Sequence, residues 1–128
     1  MARILIAEDE DTLCALCARA LVGDGHEVKT AGDGSEALDT LAREAGRFDL
    51  LLTDIRMPIM DGIALALAAA RDFPELTILL MTGYADQRER AHGLDALIHD
   101  VISKPFTLSQ IRTAVNGALG GRRMSETT

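Results

Sequence analysis

The sequence predicts an α/β fold in which a five-stranded parallel sheet is covered by helices on both faces. Short apolar runs alternate five times with stretches that have helical spacing, which is typical of a parallel sheet with crossover helices. The apolar runs are continuous rather than alternating, as expected for strands that are buried on both faces. The length of 128 residues fits one compact domain with a sizeable core.

The first two strand–helix units occupy the first third of the chain. The first strand is predicted at 3–7, an apolar run that ends in acid. The helix after it carries apolar residues at helical spacing and ends at Gly23 and Gly25. A less apolar second strand at 26–31 leads to a helix at 33–46, which has an Asp and Ser start and a Gly stop.

The third and fourth strand–helix units differ in how strongly the sequence predicts their helices. The third strand, 48–54, is apolar until its terminal acid and precedes a helix at 61–74 that Asp61 can cap. The fourth strand is predicted at 76–82. The helix after it, 85–94, is weak and polar. We therefore expect this helix to be the most easily displaced part of the fold.

The last unit closes the domain. A short fifth strand is predicted at 100–103, and a last helix at 107–120 begins with Thr107 as its cap. The remaining segment is polar, without apolar periodicity. We therefore predict one domain over 1–120 and a flexible polar tail at 121–128.

The composition limits the partners that the protein can have. The net charge is −7 and the isoelectric point is near 4.8, whereas binding to a nucleic-acid backbone requires a basic face. Three Phe, one Tyr and no Trp leave few platforms on which bases could stack. No apolar run reaches membrane-spanning length, and the N-terminus does not resemble a signal peptide. We expect a cytoplasmic protein that binds neither nucleic acid nor membrane.

The two cysteines form a single CxxC within a helical pattern. A structural zinc site needs four ligands, and no second pair of cysteines exists. The spacers between Cys14 and Cys17 are Ala and Leu, without the Pro or Gly that is usual in redox motifs. We interpret both cysteines as small apolar residues on the buried face of the first helix.

Polar side chains follow four of the predicted strands at their carboxyl ends. Glu8 and Asp9 follow the first strand, Asp54 ends the third, Thr82 ends the fourth and Lys104 follows the fifth. Ligands of parallel sheets bind beyond this edge, so we expect these side chains to converge. Clustered carboxylates repel one another, and a hard divalent cation such as Mg²⁺ relieves that repulsion.

The residue types at this edge predict phosphoryl transfer. Carboxylates, a metal ion, an ammonium group and a hydroxyl together can stabilise a transferring phosphoryl group. Asp54 is the candidate nucleophile because carboxylates can form aspartyl-phosphates. Asp9 could instead cap the first helix, and Lys104 could be a solvated loop residue; both readings stay open at this point.

Four motifs resemble the receiver domain of two-component response regulators, the CheY-like family. They are "AEDE" (7–10), "DIRMPIMDG" (54–62), "MTGY" (81–84) and "SKPF" (103–106), and the resemblance covers residues 2–119. It implies the flavodoxin-like (βα)5 fold. It also favours a cis peptide bond before Pro105, which the sequence alone leaves open.

The resemblance assigns a role to each candidate residue. It implies Mg²⁺ as the cofactor, held by Glu8, Asp9, Asp54 and the backbone carbonyl of Arg56. It implies that Asp54 accepts a phosphoryl group from a histidine kinase or a histidine phosphotransfer protein. Thr82 and Lys104 then bind the phosphoryl oxygens. A protein of this kind acts in signalling, so we do not expect it to be an enzyme in its own right.

The resemblance also suggests how the signal leaves the protein. The resemblance covers nearly the whole sequence, so we expect a single-domain receiver, most similar to the CpdR type, an adaptor for a bacterial ATP-dependent protease. The expected effector surface is the face formed by the fourth helix, the fifth strand and the last helix. That face carries the residues Arg88, Arg90, His92, Gln110, Arg112 and Asn116.

The residues at the predicted site argue against three other functions. An aspartyl-phosphate phosphatase of the haloacid dehalogenase type requires a second Asp at position 56, where this chain has Arg. A flavodoxin-like redox domain requires a Gly- and hydroxyl-rich phosphate loop after the first strand, where this chain has "EDED". A receiver that has lost phosphorylation would not be expected to keep Asp54, Thr82 and Lys104 together.

Overall fold

The five predicted strands form one parallel sheet in a computed structural model, which describes residues 2–83, 93–94 and 96–127, with side chains up to 120. The strand order is β2–β1–β3–β4–β5. The strands are β1 Arg3–Ala7, β2 Glu27–Ala31, β3 Leu50–Asp54, β4 Thr77–Thr82 and β5 Asp100–Ser103. The helices are α1 Asp11–Gly23, α2 Gly34–Arg43, α3 Gly62–Asp72 and α4 Leu108–Thr127.

The α/β fold that the sequence predicts is therefore confirmed. A weak fourth helix is predicted at 85–94, and residues 85–92 of it lie outside the described residues. The label α4 therefore belongs to the helix Leu108–Thr127, which corresponds to the fifth predicted helix. Helix α4 continues to Thr127, beyond the predicted domain end at residue 120. The assignment of 121–128 to a flexible tail stays a prediction.

Alternating strand residues face two separate cores because successive side chains of a strand point to opposite faces. One core joins the sheet to α2 and α3, through residues such as Leu5, Leu51, Ile78, Leu41 and Leu65. The other joins it to α1 and α4, through residues such as Ile4, Ile6, Leu52, Leu21 and Ile111. All ten of these side chains are fully buried. This two-sided burial explains the continuous apolar runs of the sequence.

Both cysteines lie in the core that α1 shares with the sheet, as predicted. Cys14 and Cys17 are buried and free, without a disulfide bond. Burial raises the pKa of Cys17 to about 11, and the negative charge of Glu8 acts in the same direction. Both groups therefore behave as small apolar residues at neutral pH.

Side-chain caps start three of the helices as the sequence predicts. Asp33 accepts the Glu36 amide at 2.8 Å, Asp61 accepts the Ala64 amide at 2.9 Å and Thr107 accepts the Gln110 amide at 3.0 Å. Helix α1 differs, because its N-cap is Glu10 and no side chain caps it. Asp9 thus does not cap α1, which leaves its carboxylate available for the site described below.

Helix α4 is attached to the turn between α1 and β2 by polar contacts. The Arg112 guanidinium donates to both oxygens of Asp24, with a shortest distance of 2.6 Å, and holds the pKa of Asp24 below its usual value. Asn116 donates to Asp24 at 3.3 Å and lies 3.3 Å from the His26 ring. Both side chains remain exposed while they make these contacts, and their place in the expected effector surface stays a prediction. Within the part of the chain that is described, no helix is both long and apolar enough to cross a membrane.

Candidate functional site

Backbone hydrogen bonds continue the sheet beyond the strand ends and fix the residues that follow. The Glu8 amide donates to the Ala31 carbonyl at 3.0 Å, and the Ile55 amide donates to the Met81 carbonyl at 3.1 Å. The Lys104 amide donates to the Thr82 carbonyl at 2.7 Å. The strand order places β1 beside β3, so the acids after these two strands meet at one edge.

Three carboxylates converge at this edge. Oxygen atoms of Glu8, Asp9 and Asp54 lie within 4.8 Å of one another. Glu8 and Asp54 are only 2% and 6% exposed, whereas Asp9 is exposed to solvent. Burial raises the pKa of Asp54 and of Glu8, and the Asp54 charge raises that of Glu8 further. The sequence prediction that these three acids come together is therefore borne out in geometry.

Lys104 bridges the two buried carboxylates. Its Nζ atom lies 2.8 Å from Oε1 of Glu8 and 3.2 Å from Oδ1 of Asp54. Burial alone would lower the pKa of Lys104, but the hydrogen bond to Glu8 and the charge of Asp54 outweigh burial and raise it. Lys104 is therefore a charged member of the site and not a solvated loop residue.

Both oxygens of Glu8 are already engaged within the chain. Oε1 accepts from Lys104, and Oε2 accepts from the Glu10 amide at 3.2 Å. The latter contact comes from the start of α1, and no sequence pattern predicts it. A cation entering the cluster would therefore compete with Lys104 for Glu8, whereas the exposed Asp9 has no such competitor among these contacts.

The site opens to solvent through a cleft of about 850 Å³. Beyond the acids and Lys104, its walls include Leu13 from α1, Arg56, and Pro105 and Phe106 after β5. The peptide bond between Lys104 and Pro105 is cis, as the family resemblance favours. A reactant must reach Asp54 through this cleft because the Asp54 carboxylate is otherwise buried.

Gly62 allows α3 to start directly against the end of β3. Its amide donates to the Ile55 carbonyl at 2.7 Å, which closes the loop that follows Asp54. A Cβ atom at position 62 would lie 1.9 Å from the carbonyl oxygen of Asp54 and 2.8 Å from the Ile55 Cα. The absence of a side chain at this position therefore helps to fix Asp54.

Two further predicted residues lie next to this cluster. Thr82 is 2% exposed at the end of β4, and its carbonyl holds the Lys104 amide. Arg56 is exposed and lines the cleft. The roles assigned to the Thr82 hydroxyl and to the Arg56 carbonyl stay predictions.

The fold and this arrangement of residues define a receiver domain, and comparison with known proteins agrees. The sequence matches the response regulator receiver domain family over residues 4–116, so the chain belongs to that family. The family match gives no support to the phosphatase alternative. It identifies a signalling domain, while the expected lack of enzymatic activity stays a prediction.

Relatives of known name and structure extend this comparison. The transcriptional regulatory protein TcrA of Mycobacterium tuberculosis is 35% identical over 109 residues, which are 85% of this chain but 42% of TcrA. A CheY-like receiver domain from Methanospirillum hungatei is 27% identical with a TM-score of 0.88, over 98% of both chains. The response regulator TrrA of Thermotoga maritima, solved in complex with Mg²⁺ and BeF, is 28% identical with a TM-score of 0.81, over 92% of this chain and 99% of TrrA.

The donor set of the cluster fits a magnesium ion. All three clustered groups are carboxylates, and hard oxygen ligands in small number are what Mg²⁺ prefers in proteins. A charged Lys104 beside them lowers the total negative charge, so the ion would complete the neutralisation. Asp9 and Asp54 would hold the ion, with Glu8 beside them.

Proposed function

We propose that the protein is a phosphorylatable response regulator that accepts a phosphoryl group on Asp54. The observation that carries this proposal is the buried Asp54 carboxylate, 3.2 Å from Lys104 and clustered with two further acids at the floor of an open cleft. The donor is the phosphohistidine of a histidine kinase or a histidine phosphotransfer protein. Mg²⁺ is the cofactor, held by Asp9, Asp54 and the Arg56 carbonyl, with Glu8 beside them.

The step is a transfer of one phosphoryl group between two nucleophiles. An Asp54 carboxylate oxygen attacks phosphorus, an O–P bond forms, and the N–P bond to the donor histidine breaks with its electron pair returning to the ring nitrogen. Lys104 then contacts the phosphoryl oxygens, together with the Thr82 hydroxyl. Bound Mg²⁺ supplies further charge neutralisation at those oxygens.

A small phosphodonor tests this proposal without knowledge of the kinase. Incubation with phosphoramidate and Mg²⁺ is expected to place one base-labile phosphate on Asp54, located by peptide mass spectrometry, and chelation of Mg²⁺ is expected to prevent it. Labelling at another residue, or labelling unaffected by the chelator, would overturn the proposal.

The same assay separates the roles of the acids. Asp9→Asn is expected to raise the Mg²⁺ concentration needed for half-maximal labelling by about tenfold or more, because an exposed charged ligand is lost. Glu8→Gln is expected to cause a smaller increase, because both Glu8 oxygens are already engaged by Lys104 and the Glu10 amide. Equal increases would show that both acids contact the ion directly.

We further propose that phosphorylation changes the binding of another protein, and that the protein acts as an adaptor for an ATP-dependent protease. The acidic balance of the chain supports a protein partner over nucleic acid. The proposed surface is the face of the predicted fourth helix, β5 and α4; its residues Arg88, Arg90 and His92 lie outside the described residues.

Arg112 and Asn116 are exposed parts of this surface, and their contacts with Asp24 hold them in place. Fluorescence anisotropy of the labelled chain with a purified ATP-dependent protease, with and without phosphoramidate, measures the coupling. Phosphorylation is expected to change the Kd by fivefold or more, about 1 kcal/mol of coupling. An unchanged Kd would argue against the adaptor role and leave the phosphoacceptor role standing.

A further inference from the structure

The loop between Asp54 and α3 carries an exposed apolar residue in an unfavourable backbone conformation. Ile59 has a φ of 69° and is 84% exposed. The Met60 amide donates to the Pro58 carbonyl at 2.7 Å, so Ile59 is the central residue of a γ-turn with positive φ. Left-handed backbone is strongly disfavoured for a β-branched residue, and at this exposure burial within the chain does little to offset that strain.

The loop around Ile59 is fixed at several points. The Gly34 amide at the start of α2 donates to the Met60 carbonyl at 3.1 Å. A Cβ atom at position 34 would lie 2.3 Å from that carbonyl oxygen, so α2 packs directly on the loop. The Gly62 amide closes the other side on Ile55. Ile59 is therefore presented on a rigid support, which reduces the entropy lost when a partner contacts it.

Ile59 also lies close to the cleft that leads to Asp54. Arg56 lines that cleft, and three residues of chain span at most about 11 Å. A protein interface of standard size covers about 800 Å² on each partner, a patch roughly 16 Å in radius. A protein that places its own histidine at the cleft must therefore cover the surroundings of the cleft, and Ile59 falls within that area.

We propose that Ile59 is an apolar anchor for the protein that donates the phosphoryl group. This inference rests on the proposed function, since it requires a donor protein at Asp54. Exposed acids surround the cleft on the α1 side, namely Asp9, Glu10 and Asp11. The donor surface is accordingly an apolar socket for Ile59 flanked by cationic side chains.

Ile59→Gly tests the anchor because glycine adopts positive φ without strain. This variant is expected to fold with a Tm no lower than that of the wild type. Its labelling by phosphoramidate is expected to be unchanged, because a small donor needs no surface contact. Phosphoramidate labelling therefore tests the phosphoacceptor function separately from the role of Ile59. If phosphoramidate also fails to label the wild type, the proposed phosphorylation of Asp54 is refuted.

The decisive experiment uses histidine kinases as the phosphoryl donors. From a panel of purified, autophosphorylated histidine kinases, the one that transfers fastest to the wild-type chain is assayed with each variant at limiting receiver concentration. Ile59→Gly is expected to lower the second-order rate of transfer by about tenfold or more, as the loss of one buried apolar side chain predicts. Ile59→Val, which keeps an apolar β-branched side chain, is expected to stay within threefold of the wild type.

Val22 provides a matched control at the other end of the molecule. It is 56% exposed at the C-terminal end of α1, whose 13 residues span about 20 Å away from the cleft. Val22→Ala is expected to leave transfer unchanged. An unchanged rate for Ile59→Gly would overturn the proposal. Equal slowing of labelling by phosphoramidate and of transfer from the kinase would also overturn it, because Ile59 would then shape the phosphorylation site itself. Loss of effector binding with normal transfer from the kinase would overturn it as well.

Discussion

Asp54→Asn is expected to abolish phosphoryl labelling while the fold is retained. Asparagine keeps the size of the side chain but offers no anionic oxygen to attack phosphorus. The wild-type carboxylate is 6% exposed beside Lys104 and two further acids, and none of the neighbouring groups occupies the same position at the end of β3. We expect at least a hundredfold lower labelling with phosphoramidate and Mg²⁺, as measured by intact-protein mass spectrometry.

Asp61→Asn is the control for this substitution. Asp61 lies in the same loop, and its carboxylate caps α3 by accepting the Ala64 amide at 2.9 Å. Asparagine is as good an N-cap as aspartate, so the variant is expected to fold and to be labelled at the wild-type rate. If Asp54→Asn is still labelled at the wild-type rate, Asp54 is not the acceptor.

Asp54→Asn is also expected to change how the stability of the fold depends on pH. Burial raises the pKa of Asp54 above its ordinary value of 3.8, although Lys104 opposes this shift. A carboxyl group with a raised pKa in the folded state stabilises the fold fully only below its unfolded pKa, and this contribution is lost as pH rises through the folded value. Asp54→Asn is therefore expected to raise the Tm at pH 7.5. The gain should shrink as the pH falls toward 4, which thermal unfolding across that range would show.

The elements of the fold and the members of the site were predictable because local patterns determine them. Continuous apolar runs identify strands that are buried on both faces, and Asp33, Asp61 and Thr107 mark helix starts through their capping chemistry. The acids and Lys104 fall at strand ends, and a parallel sheet brings such ends to one edge. No tertiary information is needed for either inference.

The contacts that sequence analysis missed depend on tertiary distances. Strand order predicts that Glu8 and Lys104 lie at the same edge, but not that their side chains are in direct contact, which depends on side-chain reach between residues 96 positions apart. The bond between Arg112 and Asp24 spans 88 residues and was missed for the same reason. The positive φ of Ile59 was not predicted, because a β-branched residue gives no local signal for that conformation.

The structure gives Gly62 a steric role that the sequence analysis did not predict. A Cβ atom there would meet the Asp54 carbonyl oxygen at 1.9 Å and its carbonyl carbon at 2.8 Å. These are backbone atoms at the end of a central, fully buried strand, so no flexible side chain can move aside. An alanine must therefore push the start of α3 away from β3.

Gly62→Ala is accordingly expected to lower the free energy of unfolding by about 3 kcal/mol, at the upper end of what overpacking usually costs. That is a large share of the roughly 5–15 kcal/mol that holds a typical domain folded. Urea unfolding followed by circular dichroism measures the change. Any folded fraction is expected to be labelled more slowly by phosphoramidate, because displacement of the Asp54 carbonyl moves its carboxylate relative to Lys104.

Gly117→Ala separates steric conflict from the general effect of replacing a glycine. Gly117 lies within α4, and nothing lies within 4 Å of the position that its Cβ would take. Alanine there is expected to raise the free energy of unfolding by about 0.5–1 kcal/mol, because it favours the helix over glycine. The two substitutions add the same methyl group, yet they should shift stability in opposite directions. A loss below about 1 kcal/mol for Gly62→Ala, within the usual range for a single substitution, would show that the contact between α3 and β3 yields easily and does not fix Asp54.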